Sequence, residues 1–142
     1  MESSDVVAGD AALATDYNNL RQDLIGMVVT GGAGGVSQYD AVYMHTNGKV
    51  LPADIGSLSE ARVIGIMTEA VAEDATGTMQ MRGDISNPGW SFSTIGGDVF
   101  LSGSGNISQT APTYGSGDFL VKVGWALNAT TLVINIGEPT QI

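Results

Sequence analysis

The sequence contains no cysteine. That excludes a disulfide framework, thiolate zinc sites and a cysteine nucleophile. Cations are almost as scarce, with 5 Lys and Arg against 15 Asp and Glu and a net charge of −10. Arg21, Lys49, Arg62, Arg82 and Lys122 are scattered and form no run. A nucleic-acid binder needs a cationic stripe to displace counterions, so neither nucleic acid nor an anionic membrane is an expected partner. The negative charge serves solubility and repulsion between free copies; the sharper reading is a preference for a basic protein surface. No apolar run approaches the roughly 20 residues of a membrane helix. The start, Met1-Glu2-Ser3-Ser4-Asp5, lacks the basic opening and apolar middle of a secretory leader. The chain is therefore expected to be made and used from the cytoplasm.

What is present suits one compact domain with a short appendage: 142 residues, 43% hydrophobic, with 20 glycines. Residues 1–12 read as an extended arm. A short helix is expected from about Ala14 to Ile25, capped by Thr15 or Asp16 and ended by Gly26. Leu13, Tyr17, Leu20 and Leu24 recur at helical spacing and form one apolar stripe. Three turns of helix are marginal alone, so the stripe is expected to dock on the domain, a symmetry mate or a partner. Residues 26–37, with four glycines between Gly31 and Gly35, read as a flexible linker.

From residue 38 to 142 the chain reads as strands and turns. Asp40–Asp54 is a hairpin about Asn47-Gly48, a pair that favours positive φ. Arg62–Val71 is a buried strand and Gly77–Ser86 an alternating one. Gly97–Thr110 is a second hairpin, followed by strands in Phe119–Leu127 and Thr130–Gly137. A weak internal repeat links these pieces. Val42-Tyr43-Met44 with Gly48-x-Val50 matches Val99-Phe100-Leu101 with Gly105-x-Ile107, and Val63-Ile64-Gly65-Ile66 matches Lys122-Val123-Gly124-Trp125. Gly65 and Gly124 fall mid-strand, where a bulge or a close strand approach would require them. The expected fold class is mainly β, a compact β-barrel or β-sandwich built from two similar hairpin-plus-strand halves, preceded by the arm and the amphipathic helix.

Several motifs invite chemistry. Thr30-Gly31-Gly32-Ala33-Gly34-Gly35-Val36-Ser37 looks like the dinucleotide turn of short-chain dehydrogenases. That turn needs a helix directly after it, and a hairpin follows instead. No Tyr-x-x-x-Lys pair accompanies it. His45 is the sole histidine; without a triad or co-ligands it reads as a hairpin side chain. Glu69, Glu73 and Asp74 form the densest acidic group, read as a solvated loop, because no Asp-x-Asp-x-Asp-Gly pattern is present. Arg82-Gly83-Asp84 is the integrin tripeptide, a sequence short enough to arise by chance. Trp90, just after the turn Asn87-Pro88-Gly89, reads as a core residue, with an interface anchor or a sugar-stacking platform as alternatives. No catalytic residue, cofactor or metal ligand is expected.

Gly9-Asp10-x-x-Leu13-Ala14-Thr15-Asp16-Tyr17-Asn18-Asn19-Leu20-Arg21-x-Asp23 resembles an N-terminal segment of tailed-bacteriophage structural proteins. Gly97–Leu101, Gly105–Ile107, Thr110–Pro112, Val123–Leu127 and Thr130–Ile136 resemble, in that order, the strands and turns of small phage head-decoration and fibre-base domains. The resemblance implies a virion structural protein and not an enzyme. It implies a capsid decoration (cement) protein that binds the major capsid protein of a phage head, with a homotrimer as the expected state. Residues 1–25 would attach or trimerise. Leu13, Tyr17, Leu20, Leu24 and Trp90 are the expected contacts. The alternative is a tail-fibre or tail-spike module that binds a host glycan.

Overall fold

The computed structural model describes residues 25–142. The expected arm and helix, with Leu13, Tyr17, Leu20 and Leu24, lie outside the described residues. Ten strands form two five-stranded antiparallel sheets that pack as a sandwich. The first holds β1 (Gly26–Thr30), β2 (Ala41–Met44), β3 (Val50–Pro52), β4 (Gly65–Met67) and β5 (Thr76–Gln80), in the order β1-β5-β4-β2-β3. The second holds β6 (Gly83–Ser86), β7 (Asp98–Gly103), β8 (Asn106–Ser108), β10 (Lys122–Asn128) and β11 (Thr131–Ile134), in the order β6-β11-β10-β7-β8. Between β8 and β10 lies β9 (Phe119–Leu120), which pairs with the last strand, β12 (Thr140–Gln141), in a small ribbon. Of the two expected forms the sandwich is the one adopted. The barrel is not closed, because the edges of the first sheet meet only at a bridge between Gly31 and Val50.

The two sheets follow one plan. Strands β1 to β5 and strands β6, β7, β8, β10 and β11 take the same places in the same sequence order. The register repeats as well. Val42 pairs with Gly65 and Ala41 with Ile66, as Val99 pairs with Gly124 and Asp98 with Trp125. Met67 lies opposite Met79, as Ala126 lies opposite Leu132. The repeat legible in the sequence is therefore a repeat of pairing.

Equivalent positions nonetheless serve different cores. Val42, Met67 and Met79 join Val29, Val36, Val50 and Val71 in a core private to the first half. Their counterparts Val99, Ala126 and Leu132 face the larger core between the sheets, where the first half contributes Ala41, Tyr43 and Ile66. The alternation of β2 explains this, since neighbouring strand residues point to opposite faces. Both faces of the first sheet are thus buried along its central strands β2 and β4. Burial of a Leu or Met side chain contributes roughly 1.5–3 kcal/mol, which makes the shared core the main tie between the halves.

Three readings need correction. The stretch 26–37 is not a linker: Gly26–Thr30 is β1, and the following glycines are pinned. Gly31 N–H donates to Ala75 O at 2.9 Å, Gly32 N–H to Val50 O at 2.8 Å and Val36 N–H to Val71 O at 2.8 Å. A Cβ on Gly31 would stand 2.5 Å from the Ala72 carbonyl oxygen, so glycine there permits close approach and not flexibility. Secondly, Gly77–Ser86 is two strands in different sheets, broken at Gly83, which takes a φ of 82°. Thirdly, the Asn47-Gly48 turn is wider than a two-residue loop. His45 N–H bonds Lys49 O, and only Gly48 takes positive φ. The tight form occurs instead at Ser104-Gly105, where φ is 52° and 79°. A short helix, α1 (Leu58–Ala61), was not anticipated; Ser57 caps it through Glu60 N–H.

Candidate functional site

Trp90 does not stand free on the surface. The turn before it is held by Asn87, whose side-chain oxygen accepts from Gly89 N–H at 2.9 Å and whose carbonyl accepts from Trp90 N–H at 3.0 Å. The indole packs against both Tyr39 and Phe92, with ring centroids 5.4 Å away in each pair. It is half-buried and packs on the shared core. Its open edge lines a shallow groove of about 220 Å³ with Ser91, Ser93, Ile107 and Gln109. No carboxylate lines that groove, so the acidic neighbours a sugar platform would use are not beside it.

The remaining motifs fall into structural roles. The glycine-rich turn borders a groove of about 270 Å³ with Val71 and Ala72, and the next element is strand β2. Pyrophosphate binding by that motif relies on a helix N-terminus, and a strand supplies none. His45 Nδ1 faces Asn47 N–H at 3.5 Å. Glu69 accepts from the Thr78 hydroxyl at 2.7 Å, and Asp74 pairs with Lys49. That partner raises the Lys49 ammonium above its usual range, first through the hydrogen bond and then through charge. Among the described residues no group of three or more His, Asp or Glu could hold a metal ion. Arg82-Gly83-Asp84 is the crossover between the sheets. Gln80 Nε2 donates to the carbonyls of Arg82 and Asp84 at 3.0 and 2.8 Å and fixes it.

Asp40 sits at the junction of the halves. Its carboxylate accepts from Ser37 N–H at 2.9 Å. Burial pushes its pKa up, and that backbone bond partly opposes the shift. Beside it Ala41 N–H donates to Gly105 O, and Gly105 N–H donates to Ala53 O, both at 2.8 Å. These bonds tie the second hairpin to the first sheet.

The feature that analysis of motifs missed is the edge strand β1. Ile25, Met27 and Val28 are 52%, 42% and 66% exposed. They follow directly on Leu24, the last residue of the expected stripe. No charged residue lies between Asp23 and Asp40. No protein-family model matches this sequence, and no curated protein matches it significantly.

Proposed function

We propose that this chain is a non-enzymatic virion structural protein, a decoration protein that binds the outer surface of a phage head and stabilises it. The observation that carries the reading is the continuity of the body. The larger core lies between the two sheets and takes residues from both, which holds the halves as one body. The segments that resemble decoration domains support it too, since Gly97–Leu101, Gly105–Ile107, Val123–Leu127 and Thr130–Ile136 coincide with β7, β8, β10 and β11. In this reading residues 1–25 attach the body to the major capsid protein and to its symmetry mates in a homotrimer. A net charge of −10 leaves the surface suited to basic partner patches. Deleting residues 1–25 is expected to abolish binding to undecorated capsids in a co-sedimentation assay. Full retained binding would remove the arm from the mechanism.

A second reading, a tail-fibre module for host glycan, draws on the aromatic groove at Trp90. Glycan-array binding lost on Trp90→Ala, with the fold retained, would favour it over decoration.

A further inference from the structure

We propose that Asn47 is a self-modification site, where attack by the Gly48 amide nitrogen converts the side chain, without an enzyme, to a mixture of aspartyl and isoaspartyl forms. This goes beyond the decoration reading and rests on the first hairpin turn by itself. The reaction needs an asparagine that the next residue's amide nitrogen can reach. The other asparagines among the described residues are poorly placed for it. Asn87 precedes Pro88, which has no amide proton to give up. Asn106 and Asn135 precede Ile107 and Ile136, whose β-branched side chains crowd the amide. Asn128 precedes Ala129, and its side-chain oxygen is held by Thr130 through N–H at 3.0 Å and hydroxyl at 3.3 Å. Asn47 is the one asparagine of the sequence that glycine follows. Both residues are exposed, and a Cβ on Gly48 would meet nothing within 4 Å, so the space beside the amide is open.

The turn prepares the electrophile. Lys49 N–H donates to Asn47 Oδ1 at 3.0 Å. That oxygen gains negative charge as the nitrogen adds, so a donor already in place stabilises it. The opposing feature is the bond from Gly48 N–H to His45 O at 2.9 Å. It closes an exposed turn that packs no buried side chain, and burial resumes only at Val50. Local opening therefore frees the amide without unfolding the sheet. The Gly48 nitrogen bonds to Asn47 Cγ and the Cγ–Nδ2 bond breaks. Nδ2 leaves as ammonia, taking up through solvent the proton that the Gly48 amide gives up. Water then opens the cyclic imide. Addition at Cγ leaves an aspartyl residue, and addition at the backbone carbonyl carbon leaves an isoaspartyl one. Each event adds a negative charge near the Lys49–Asp74 pair. The isoaspartyl form also adds a backbone atom to the turn that sets Val50 opposite Met44.

The test is peptide mapping by mass spectrometry of the full chain after weeks in native buffer at neutral pH, with aspartyl and isoaspartyl peptides separated by chromatography. We expect amide loss at Asn47 to run roughly tenfold or more ahead of Asn87, Asn106, Asn128 and Asn135, a barrier lower by about 1.4 kcal/mol. Both product forms should be present. In Gly48→Ala the loss at Asn47 should slow by about tenfold. Alanine at a φ of 82° strains the turn and would favour its opening, so slower reaction reads the crowded nucleophile and not a tighter fold. Loss at Asn47 no faster than at the other four overturns the inference. An aspartyl product alone means direct hydrolysis of the amide, and Gly48→Ala reacting as fast as wild type means the same; either overturns it. Loss that appears only in urea would show that the folded turn protects its amide, and that also overturns it.

Discussion

Gly65 and Gly124 occupy equivalent places, and each lets a neighbouring strand come closer than a side chain allows. A Cβ on Gly65 would stand 2.7 Å from the Gln80 carbonyl oxygen and 2.5 Å from Met79 Cγ; one on Gly124 would run into the Val133 carbonyl. The register of β10 against β7 also shifts between Lys122 and Gly124. Overpacking of this kind costs about 1–3 kcal/mol. Gly65→Ala and Gly124→Ala should each lose that free energy in urea denaturation, with Gly124→Ala the worse because the Val133 carbonyl oxygen would stand only 2.0 Å from its Cβ. Asp40 makes a pH-dependent prediction. Burial raises its carboxyl above the ordinary value of 3.8 in the folded state. The folded chain then holds this proton more tightly than the unfolded one, so the group's contribution falls as pH rises through that window. Asp40→Asn keeps an oxygen for Ser37 N–H. It should raise the melting temperature at pH 7 and give no gain near pH 3, in thermal melts followed by circular dichroism.

At the level of elements, both hairpins and the repeat were legible, because alternation and turn residues are local signals. What was not legible depended on contacts distant in sequence. Gly31 to Gly35 look like a linker until Val50 and Ala72 are seen beside them. Met81-Arg82 continues the alternation of β5, and only the positive φ of Gly83 shows that the chain there leaves one sheet for the other. α1 had a signal that went unread, Ser57 three residues before Glu60, a capping pair on a single turn. Of the candidate contacts, the core reading of Trp90 agrees with its packing, whereas exposure of β1 is a property of sheet order and no window of sequence contains it. The crossover yields its own test. Gly83→Ala forces a side chain into left-handed backbone, with Ile25 Cγ2 3.1 Å from the new Cβ. A loss of roughly 1–2 kcal/mol in chemical denaturation is expected.

For the whole molecule, the shared core dictates cooperativity. The inner face of the second sheet is completed by Ala41, Tyr43 and Ile66 of the first. A fragment of residues 83–142 should therefore lack a folded far-UV spectrum. Far-UV circular dichroism and tryptophan fluorescence should give one coincident transition for the intact chain. Trp90 and Trp125 both lie in the second half, which makes coincidence a real test of coupling.

The manner of stacking has a last implication. Tyr43 and Ile66 of the first half meet the second, but their counterparts Phe100 and Trp125 are half-exposed and meet nothing in the shared core. Unlike faces are in contact, so the relation between halves is a step and not a reciprocal handshake. At one terminus of this two-step stair Val36 and Val71 seal the tread. At the other, among the described residues, the aromatic tread of Phe100 and Trp125 is left without the next stair.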